Sequence, residues 1–225
     1  MSESMLSTMR SVNGRSLEMW LLLLFVAAVP ALEAPKNFFG LTYLLIWVLN
    51  RRRERYWGGS LDLWDWVILM WISSGLVSTV FGGLPGGELA DAVDPLRSGL
   101  ILLAVKRSGY TTNLLIWILI VAIASTIAGL AVALWQLFVS HQIGLLELHS
   151  VGHVNHTAIY LSISLTIAAA FALSYWNSMN AMLRGIWATS VAVLFLGVLL
   201  TVSRGAIAAA IGALVLLGIG FVRKY

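Results

Sequence analysis

Apolar and polar positions alternate along this chain in long blocks and not residue by residue. Extended apolar runs are separated by short polar segments that carry most of the charged residues. A membrane-spanning helix needs about 20 apolar residues, whereas a membrane-spanning β-strand alternates over about 10 residues. The pattern therefore predicts about eight helical spans, at about residues 17–32, 37–49, 61–81, 89–105, 113–139, 156–176, 185–202 and 206–222.

The composition excludes an ordinary soluble domain. Hydrophobic residues make up 60% of the 225 residues and charged residues 11%, whereas soluble proteins carry about 25% charged residues. In lipid, backbone groups must pair within their own segment, which favours helices. We predict an all-α, polytopic membrane helical bundle that forms a single membrane domain over residues 1–225. There are no cysteines, and the net charge of +4 does not indicate a nucleic-acid partner.

The distribution of basic residues predicts the orientation. With a cytoplasmic N-terminus, 11 of the 14 basic residues fall on the inner side, and the exceptions are Lys36, Arg97 and Arg204. Because basic residues concentrate in cytoplasmic segments, both termini are predicted to be cytoplasmic. The motif "GHVNH" and Arg204 then share the outer face, which is the periplasm of a Gram-negative cell. "RRRER" at residues 51–55 is interpreted as a topology signal more readily than as a lipid-specific site.

The last two predicted spans are joined without a conventional loop. A single helix over residues 185–222 would be roughly 57 Å long at 1.5 Å per residue, nearly twice a hydrocarbon core of about 30 Å. It must therefore break at "TVSRG", residues 201–205, where Gly205 permits a reversal. Gly205, Ala209 and Ala213 are four residues apart, and this face of small residues predicts close helix packing.

Arg204 is a single basic residue between two apolar spans. An arginine at this position is costly unless it reaches an interface or a partner, so it either snorkels to the outer boundary or binds an anion. Its planar guanidinium matches phosphate oxygens, and the N–H groups at the start of the eighth helix add positive dipole. Ser203 provides a helix cap or a further donor. A phosphate-bearing lipid headgroup is the expected ligand.

A second polar group lies in "GHVNHTAIYL", residues 152–161, at the mouth of the sixth span. Zinc needs three or four ligands, and acidic residues are too few nearby, so no metal site is predicted. Asn155, or His156 with Thr157, can cap the sixth helix. Alternatively, His153, Asn155 and His156 line a polar pocket for a sugar or a pyrophosphate, in which a histidine can also transfer protons.

Arg97 belongs to a third polar group on the outer side, with Asp91 and Asp94 beside it. One interpretation is an ion pair among these residues, and the other is contact of Arg97 with a pyrophosphate or an acceptor. The chain carries neither a Walker-type phosphate loop nor a G-x-S-x-G elbow. Span interiors hold almost no acidic residues, which disfavours a proton-coupled transporter, and no cofactor is expected.

Two patches together, "GHVNHTAIYLSISL" and the later "LGVLLTVSRGAIAAAIGALVLL", resemble the O-antigen ligase and O-antigen polymerase superfamily of bacterial envelope glycan enzymes. In that family one outer-face segment opens a helix with a Gly…Asn-x-x-Ala-x-Tyr-Leu pattern, and a later helix ends in Ser-Arg-Gly. The corresponding positions are Gly152, Asn155, Ala158, Tyr160 and Leu161, followed by Ser203, Arg204 and Gly205. The resemblance covers about residues 113–222 well.

The resemblance implies a metal-independent glycosyltransferase of the bacterial inner (cytoplasmic) membrane, with its active face in the periplasm. Such enzymes take a glycan from an undecaprenyl-pyrophosphate carrier and join it to lipid A core, to another glycan or to protein, with inversion at the anomeric carbon. Arg204 would hold the pyrophosphate, where negative charge develops as the bond breaks. The implied partners are the carrier-linked glycan, a glycan or lipid acceptor, and membrane lipid.

In the family, a large outer loop follows further spans and carries another essential arginine and a histidine proposed as the general base. No residue of this chain matches that histidine. We therefore expect the family's N-terminal portion, with its catalytic residues unassigned and a partner able to supply the C-terminal half. Two other functions stay open, which are a transporter or flippase of lipid-linked sugar and a non-catalytic membrane subunit of a polysaccharide assembly system.

Overall fold

The computed structural model describes the backbone of residues 3–81, 88–140 and 145–224, and the side chains within residues 15–77, 81, 96–140 and 145–221. The described residues form eight α-helices and contain no β-strand. A short 3-10 turn, Trp176–Ser178, follows the sixth helix. The helices are α1 (Glu3–Ala28), α2 (Glu33–Glu54), α3 (Leu63–Phe81), α4 (Glu88–Arg107), α5 (Thr112–Phe138), α6 (Val154–Tyr175), α7 (Ala181–Leu200) and α8 (Arg204–Lys224).

Each predicted apolar segment falls largely within a helix, although several helices continue into polar sequence. α1 begins far upstream of its predicted span, and α2 continues through the arginines of "RRRER" to Glu54. Four helical stretches of the described chain are long and apolar enough to cross a membrane, and they confirm an all-α membrane protein. These stretches are Thr112–Phe138, Val154–Ser178, Ala181–Leu200 and Arg204–Phe221.

The chain divides into two compact units. Unit 1 comprises Met1–Phe25 and Ala34–Ile118, and unit 2 comprises Val26–Glu33 and Leu119–Tyr225. Each unit has its own packed interior, and the polar groups of interest lie within one unit or the other.

Unit 1 is packed around a close crossing of α3 and α4. A Cβ atom at Gly99 of α4 would lie 2.3 Å from Cγ1 of Ile72 in α3, so the crossing requires glycine. α3 starts with a reciprocal cap, in which the Asp62 N–H donates to Asp65 Oδ2 and the Asp65 N–H donates to Asp62 Oδ1, each at 3.0 Å. This arrangement pairs two backbone donors that the helix itself leaves free.

Unit 2 is built around α6, which packs against both α7 and α8. α7 also lies close to α5, because a Cβ atom at Gly197 would be 2.8 Å from Cδ2 of Leu130. Apolar side chains from these helices and from the segment before α6 are completely buried, among them Leu146, Leu148, Leu161, Leu165, Leu194 and Val198. On the opposite side of α6, Ile159, Ile163 and Ile167 form an exposed apolar stripe, as expected for contact with lipid.

The packed face of α8 differs from the predicted one. Ala206 and Ala210 are buried, whereas Gly205 and Ala209 are exposed. The Ser162 hydroxyl of α6 donates to the Ala158 carbonyl at 2.8 Å and also lies 3.4 Å from the Ala206 carbonyl, which places this side of α8 against α6. The prediction that the face of Gly205 and Ala209 packs is therefore wrong, because a four-residue spacing of small residues does not show which side of a helix meets its neighbour.

Candidate functional site

The connecting loop, residues 145–153, leads into α6 and is held by one buried threonine. Thr157 is fully buried, and its hydroxyl accepts a hydrogen bond from the Leu148 N–H at 3.0 Å and donates to the Gly152 carbonyl at 3.1 Å. Gly152 has φ 82°, a left-handed conformation that glycine adopts without strain. Together these features turn the chain sharply into α6.

His153 caps α6. Its Nδ1 atom accepts a hydrogen bond from the Asn155 N–H at 3.3 Å, and its carbonyl accepts from the N–H groups of His156 and Thr157 at 2.9 and 3.1 Å. The predicted caps, Asn155 and His156, are instead the second and third residues of the helix. That prediction is wrong because the helix begins two residues earlier than the apolar run does.

The polar side chains at this end of α6 point outward. His153, Asn155 and His156 are all exposed, and the rings of the two histidines lie edge to face with their centroids 6.3 Å apart. Among the described residues, no cluster of three or more His, Cys, Asp or Glu side chains could hold a metal ion. The three residues therefore form an open polar surface of hydrogen-bonding groups.

The turn between α7 and α8, residues 201–203, reverses the chain at an unexpected residue. Val202 has φ 58°, a strained conformation for a β-branched residue, whereas Gly205 lies inside the first turn of α8. The prediction that Gly205 makes the reversal is therefore wrong. Thr201 is buried in front of the turn, and its hydroxyl donates to the Val198 carbonyl at 2.7 Å.

Arg204 is the first residue of α8 and its side chain is exposed. Within the part of the chain that the structure describes, its guanidinium makes no hydrogen bond and no ion pair. Ser203 precedes it, half-buried, and accepts a hydrogen bond from the Ile207 N–H at 3.0 Å through its carbonyl. Arg204 is therefore a cation with all of its donors available, beside the free N–H groups of a helix start.

The starts of α6 and α8 lie at the same end of unit 2. Two short connections join α6, α7 and α8, and short connections make consecutive packed helices antiparallel, so α6 and α8 run parallel. The contact between Ser162 and Ala206 then places Arg204 near the level of Tyr160. At 1.5 Å per residue, the α6 cap lies about 10 Å further along the helix axis.

Arg97 lies in α4 and belongs to unit 1. Its guanidinium donates to the Asn37 side-chain oxygen of α2. The side chains of Asp91 and Asp94 are outside the described residues, so the predicted ion pair stays a prediction. The structure brings together the Arg204 turn and the α6 cap within unit 2, and Arg97 is part of a different unit.

Sequence reasoning missed a buried carboxylate in unit 1. Glu18 of α1 is fully buried and is surrounded by donors, which we call the Glu18 network. Its Oε1 atom accepts from the Tyr110 hydroxyl at 2.6 Å and from Arg51 Nη2 at 3.2 Å, with Ser108 Oγ 3.4 Å away. Its Oε2 atom accepts from Asn50 Nδ2 at 2.8 Å.

The network continues outward through a chain of ion pairs. Arg51 Nη1 donates to Glu54 Oε2 at 2.8 Å, and Arg15 donates to both Glu54 oxygens at 2.9 and 3.0 Å. The hydrogen bond from Arg15 holds the pKa of the Glu54 carboxyl below its usual range. Burial raises the pKa of the Tyr110 hydroxyl, which therefore stays protonated and donates to Glu18.

A signal for this network was present in the sequence. Glu18 falls inside the first apolar run, and a membrane-embedded acid needs a partner. Arg51 opens the basic cluster "RRRER", which is also typical of a topology signal, so the sequence alone does not pair Arg51 with Glu18.

No protein-family model, no curated protein and no solved structure matches this chain. The resemblance to the O-antigen ligase superfamily therefore stays a prediction. The assignment of function depends on the geometry of the residues described above.

Proposed function

We propose that this chain binds an undecaprenyl-pyrophosphate-linked glycan and takes part in transfer of that glycan to an acceptor, as O-antigen ligases and polymerases do. The acceptor is a lipid A core, another glycan or a protein. Arg204 binds the pyrophosphate, and Ser203 provides a further hydrogen-bond donor. His153, Asn155 and His156 contact the sugar.

The observation that carries the proposal is the free guanidinium of Arg204. Arginines in membrane helices are costly unless they are paired or solvated, and Arg204 has no protein partner among the described residues. It stands at the N-terminus of an apolar helix, where N–H groups and the helix dipole favour an anion. A lipid pyrophosphate supplies two phosphate groups at the boundary of the hydrocarbon region.

The shape of the site supports an elongated ligand. The α6 cap and Arg204 are separated by about 10 Å along the helix axes, so a single phosphate does not reach both. A pyrophosphate with an attached sugar extends over a comparable distance. Its anionic end suits the guanidinium, and its hydroxyls suit the exposed imidazoles and amide of the α6 start.

The reaction requires charge stabilisation on the leaving group. An acceptor hydroxyl loses its proton to a base and forms a new bond to the anomeric carbon, while the bond from that carbon to the pyrophosphate oxygen breaks. Undecaprenyl pyrophosphate leaves with an added negative charge. A guanidinium fixed beside this oxygen stabilises the developing charge, and this is the step that we assign to Arg204.

The proposal includes a topology of eight spans in a bacterial inner membrane, with both termini cytoplasmic and the site on the periplasmic side. The chain has no native cysteine, so single cysteines at the exposed positions His149 and Ser178 can be labelled one at a time. In intact cells, a membrane-impermeant maleimide is expected to label the His149→Cys variant and to spare the Ser178→Cys variant. The reverse pattern would contradict this orientation.

The functional test compares Arg204→Ala and Arg204→Lys with Arg53→Ala, which removes an exposed charge from α2. In cells that depend on this chain, Arg204→Ala is expected to abolish glycan transfer. Arg204→Lys keeps the charge but loses the planar fork, and it is expected to retain a small fraction of the activity. Arg53→Ala is expected to leave transfer unchanged.

Membrane insertion of each variant is measured in parallel by its yield in the membrane fraction. Normal surface glycan in an inserted Arg204→Ala variant would contradict the proposal. If the purified chain instead moves a fluorescent lipid-linked sugar across vesicle membranes, the transporter alternative is favoured. Loss of glycan in the Arg204→Ala variant without any binding of the carrier would favour a non-catalytic assembly subunit.

A further inference from the structure

Unit 1 contains a cavity of about 120 Å³ beside the Glu18 network. Arg15 and Glu18 of α1 and Arg51 of α2 form one side, and residues 108–111 with Leu114 form the other. Since one water occupies about 30 Å³ of liquid, the cavity has room for about four waters or one phosphate group. It is independent of the Arg204 site, which belongs to unit 2.

The acceptors around this cavity are already used. Glu18 accepts hydrogen bonds from Tyr110, Arg51 and Asn50, and both Glu54 oxygens accept from Arg15. Neither carboxylate therefore needs a cation from outside the protein.

Donors, in contrast, remain available. Arg51 is almost completely buried, and within the described residues its Nε atom has no hydrogen-bond partner. A buried donor of this kind costs about 1–3 kcal/mol until it is paired. The Arg15 side chain is 56% exposed, so its outward face can donate to a group that enters the cavity.

The start of α5 adds further donors. Thr111 precedes α5, and its hydroxyl accepts from the Leu114 N–H at 3.4 Å. The first N–H groups of a helix have no partner within the helix, and the dipole places about half a positive charge there. The formal charges of Arg15, Arg51, Glu18 and Glu54 cancel. The partial positive charge at the start of α5 therefore makes the local electrostatic potential positive, which favours an anion.

We propose that this cavity binds the phosphate group of an anionic membrane phospholipid. Arg51 Nε, the outward face of Arg15 and the first N–H groups of α5 are the donors, and the apolar sides of Met19 and Leu114 border the same cavity. In the proposed topology this is the cytoplasmic face, where basic pockets between membrane helices bind anionic headgroups. Part of the "RRRER" segment then serves as a lipid site in addition to its role as a topology signal.

The experiment uses the full chain in detergent, with phosphatidylglycerol binding followed by native mass spectrometry. Arg15→Gln removes a donor at the exposed mouth of the cavity. Arg52→Gln is the matched control, because Arg52 is exposed on the same basic segment and does not line the cavity. Arg15→Gln is expected to weaken binding about fivefold, and Arg52→Gln is expected to leave it within about twofold.

A second variant tests the buried donor while keeping the fold. Arg51→Lys retains a positive charge beside Glu18 but removes Nε and the planar fork, and it is expected to weaken binding about tenfold with an unchanged helical circular dichroism spectrum. If Arg51→Lys does not fold, Arg15→Gln alone decides the outcome.

Two further binding measurements distinguish a lipid headgroup from free phosphate as the ligand. Phosphatidylcholine is expected to bind several-fold more weakly than phosphatidylglycerol, and millimolar inorganic phosphate is expected not to displace the bound lipid. Displacement of the lipid by inorganic phosphate would identify a soluble anion as the ligand and would overturn the assignment to a phospholipid. Equal binding of both lipids, or an equal loss in the Arg15→Gln and Arg52→Gln variants, would overturn the proposal.

Discussion

The Glu18 network and the Arg204 turn place charged side chains in a membrane protein in opposite ways. Glu18 is fully buried, and donors from α2 and from the link between α4 and α5 surround its carboxylate. Arg204 is exposed and has no protein partner among the described residues. The first charge is satisfied by the fold itself, and the second depends on water or a ligand.

This difference separates structural from functional charges. Removing a paired, buried charge leaves its partners buried without compensation, so the cost appears in stability. Removing an exposed, unpaired charge costs the fold little, so the effect appears in binding. The following substitutions test this separation, from the largest expected effect to the smallest.

Glu18→Ala is expected to have the largest effect on stability. The substitution leaves Arg51 Nη2, the Asn50 amide and the Tyr110 hydroxyl without their buried acceptor, while Arg51 keeps only its contact with Glu54. Breaking a buried pair in this way costs about 3–5 kcal/mol. Glu33→Ala removes an exposed acid from the first turn of α2 and is expected to cost less than about 1 kcal/mol. Unfolding by SDS in mixed micelles, followed by circular dichroism, gives both free energies, and equal stability of the two variants would contradict the structural role of Glu18.

Thr157→Val tests the support behind the polar surface of α6. The Leu148 N–H is left buried without an acceptor, which costs about 1–3 kcal/mol. Thr166→Val is the control, because the Thr166 hydroxyl donates only to the Ser162 carbonyl one turn before it in the helix, and it is expected to cost less than about 0.5 kcal/mol. The same unfolding titration measures both variants. A Thr157→Val variant as stable as Thr166→Val would contradict the role of Thr157 in holding the loop before α6.

Val202→Gly is expected to stabilise the protein by about 1 kcal/mol, because glycine relieves the left-handed strain beside Arg204. Val215→Gly in the interior of α8 is the matched change, and it is expected to destabilise by about 0.5 kcal/mol through lost helix propensity. Thermal unfolding in detergent measures both changes in stability, which are expected to have opposite signs. A destabilised Val202→Gly variant would show that the turn carries no relievable strain.

Glu54→Gln is expected to give the smallest effect, and the pH dependence of stability isolates it. Arg15 lowers the Glu54 pKa in the folded state, relative to about 4.3 in an unfolded chain. The stabilisation is therefore present above the unfolded pKa and is lost as pH falls through the lower folded pKa. Wild-type stability is expected to fall by up to about 1 kcal/mol more than that of Glu54→Gln between about pH 5 and pH 3, and parallel curves would contradict this ion pair.

The helical fold could be predicted from the sequence because apolar runs determine where a membrane helix forms. The ends of the helices were harder to predict, because the cap at His153 and the strained turn at Val202 depend on individual backbone angles that composition does not encode. The exposed position of Arg204 agrees with its place between two apolar spans.

The Glu18 network could not be predicted in full because its members are distant in sequence. Glu18 meets Asn50 and Tyr110 only after α1, α2 and the start of α5 have packed together. A local pattern shows an isolated acid and a separate basic cluster, and their pairing requires the tertiary structure. The elongated shape of the candidate site likewise depends on the register of α6 and α8, which the 3.4 Å contact between the Ser162 hydroxyl and the Ala206 carbonyl reveals.

Binding of undecaprenyl pyrophosphate to the purified chain in nanodiscs tests the central claim most directly. Native mass spectrometry of wild type and of Arg204→Ala gives the bound fraction, and SDS unfolding of the same samples gives their stability. We expect Arg204→Ala to lose at least about tenfold in affinity, as for a charged hydrogen-bonding group, with its free energy of unfolding within about 0.5 kcal/mol of wild type. Unchanged binding of undecaprenyl pyrophosphate by a folded Arg204→Ala variant would contradict the account.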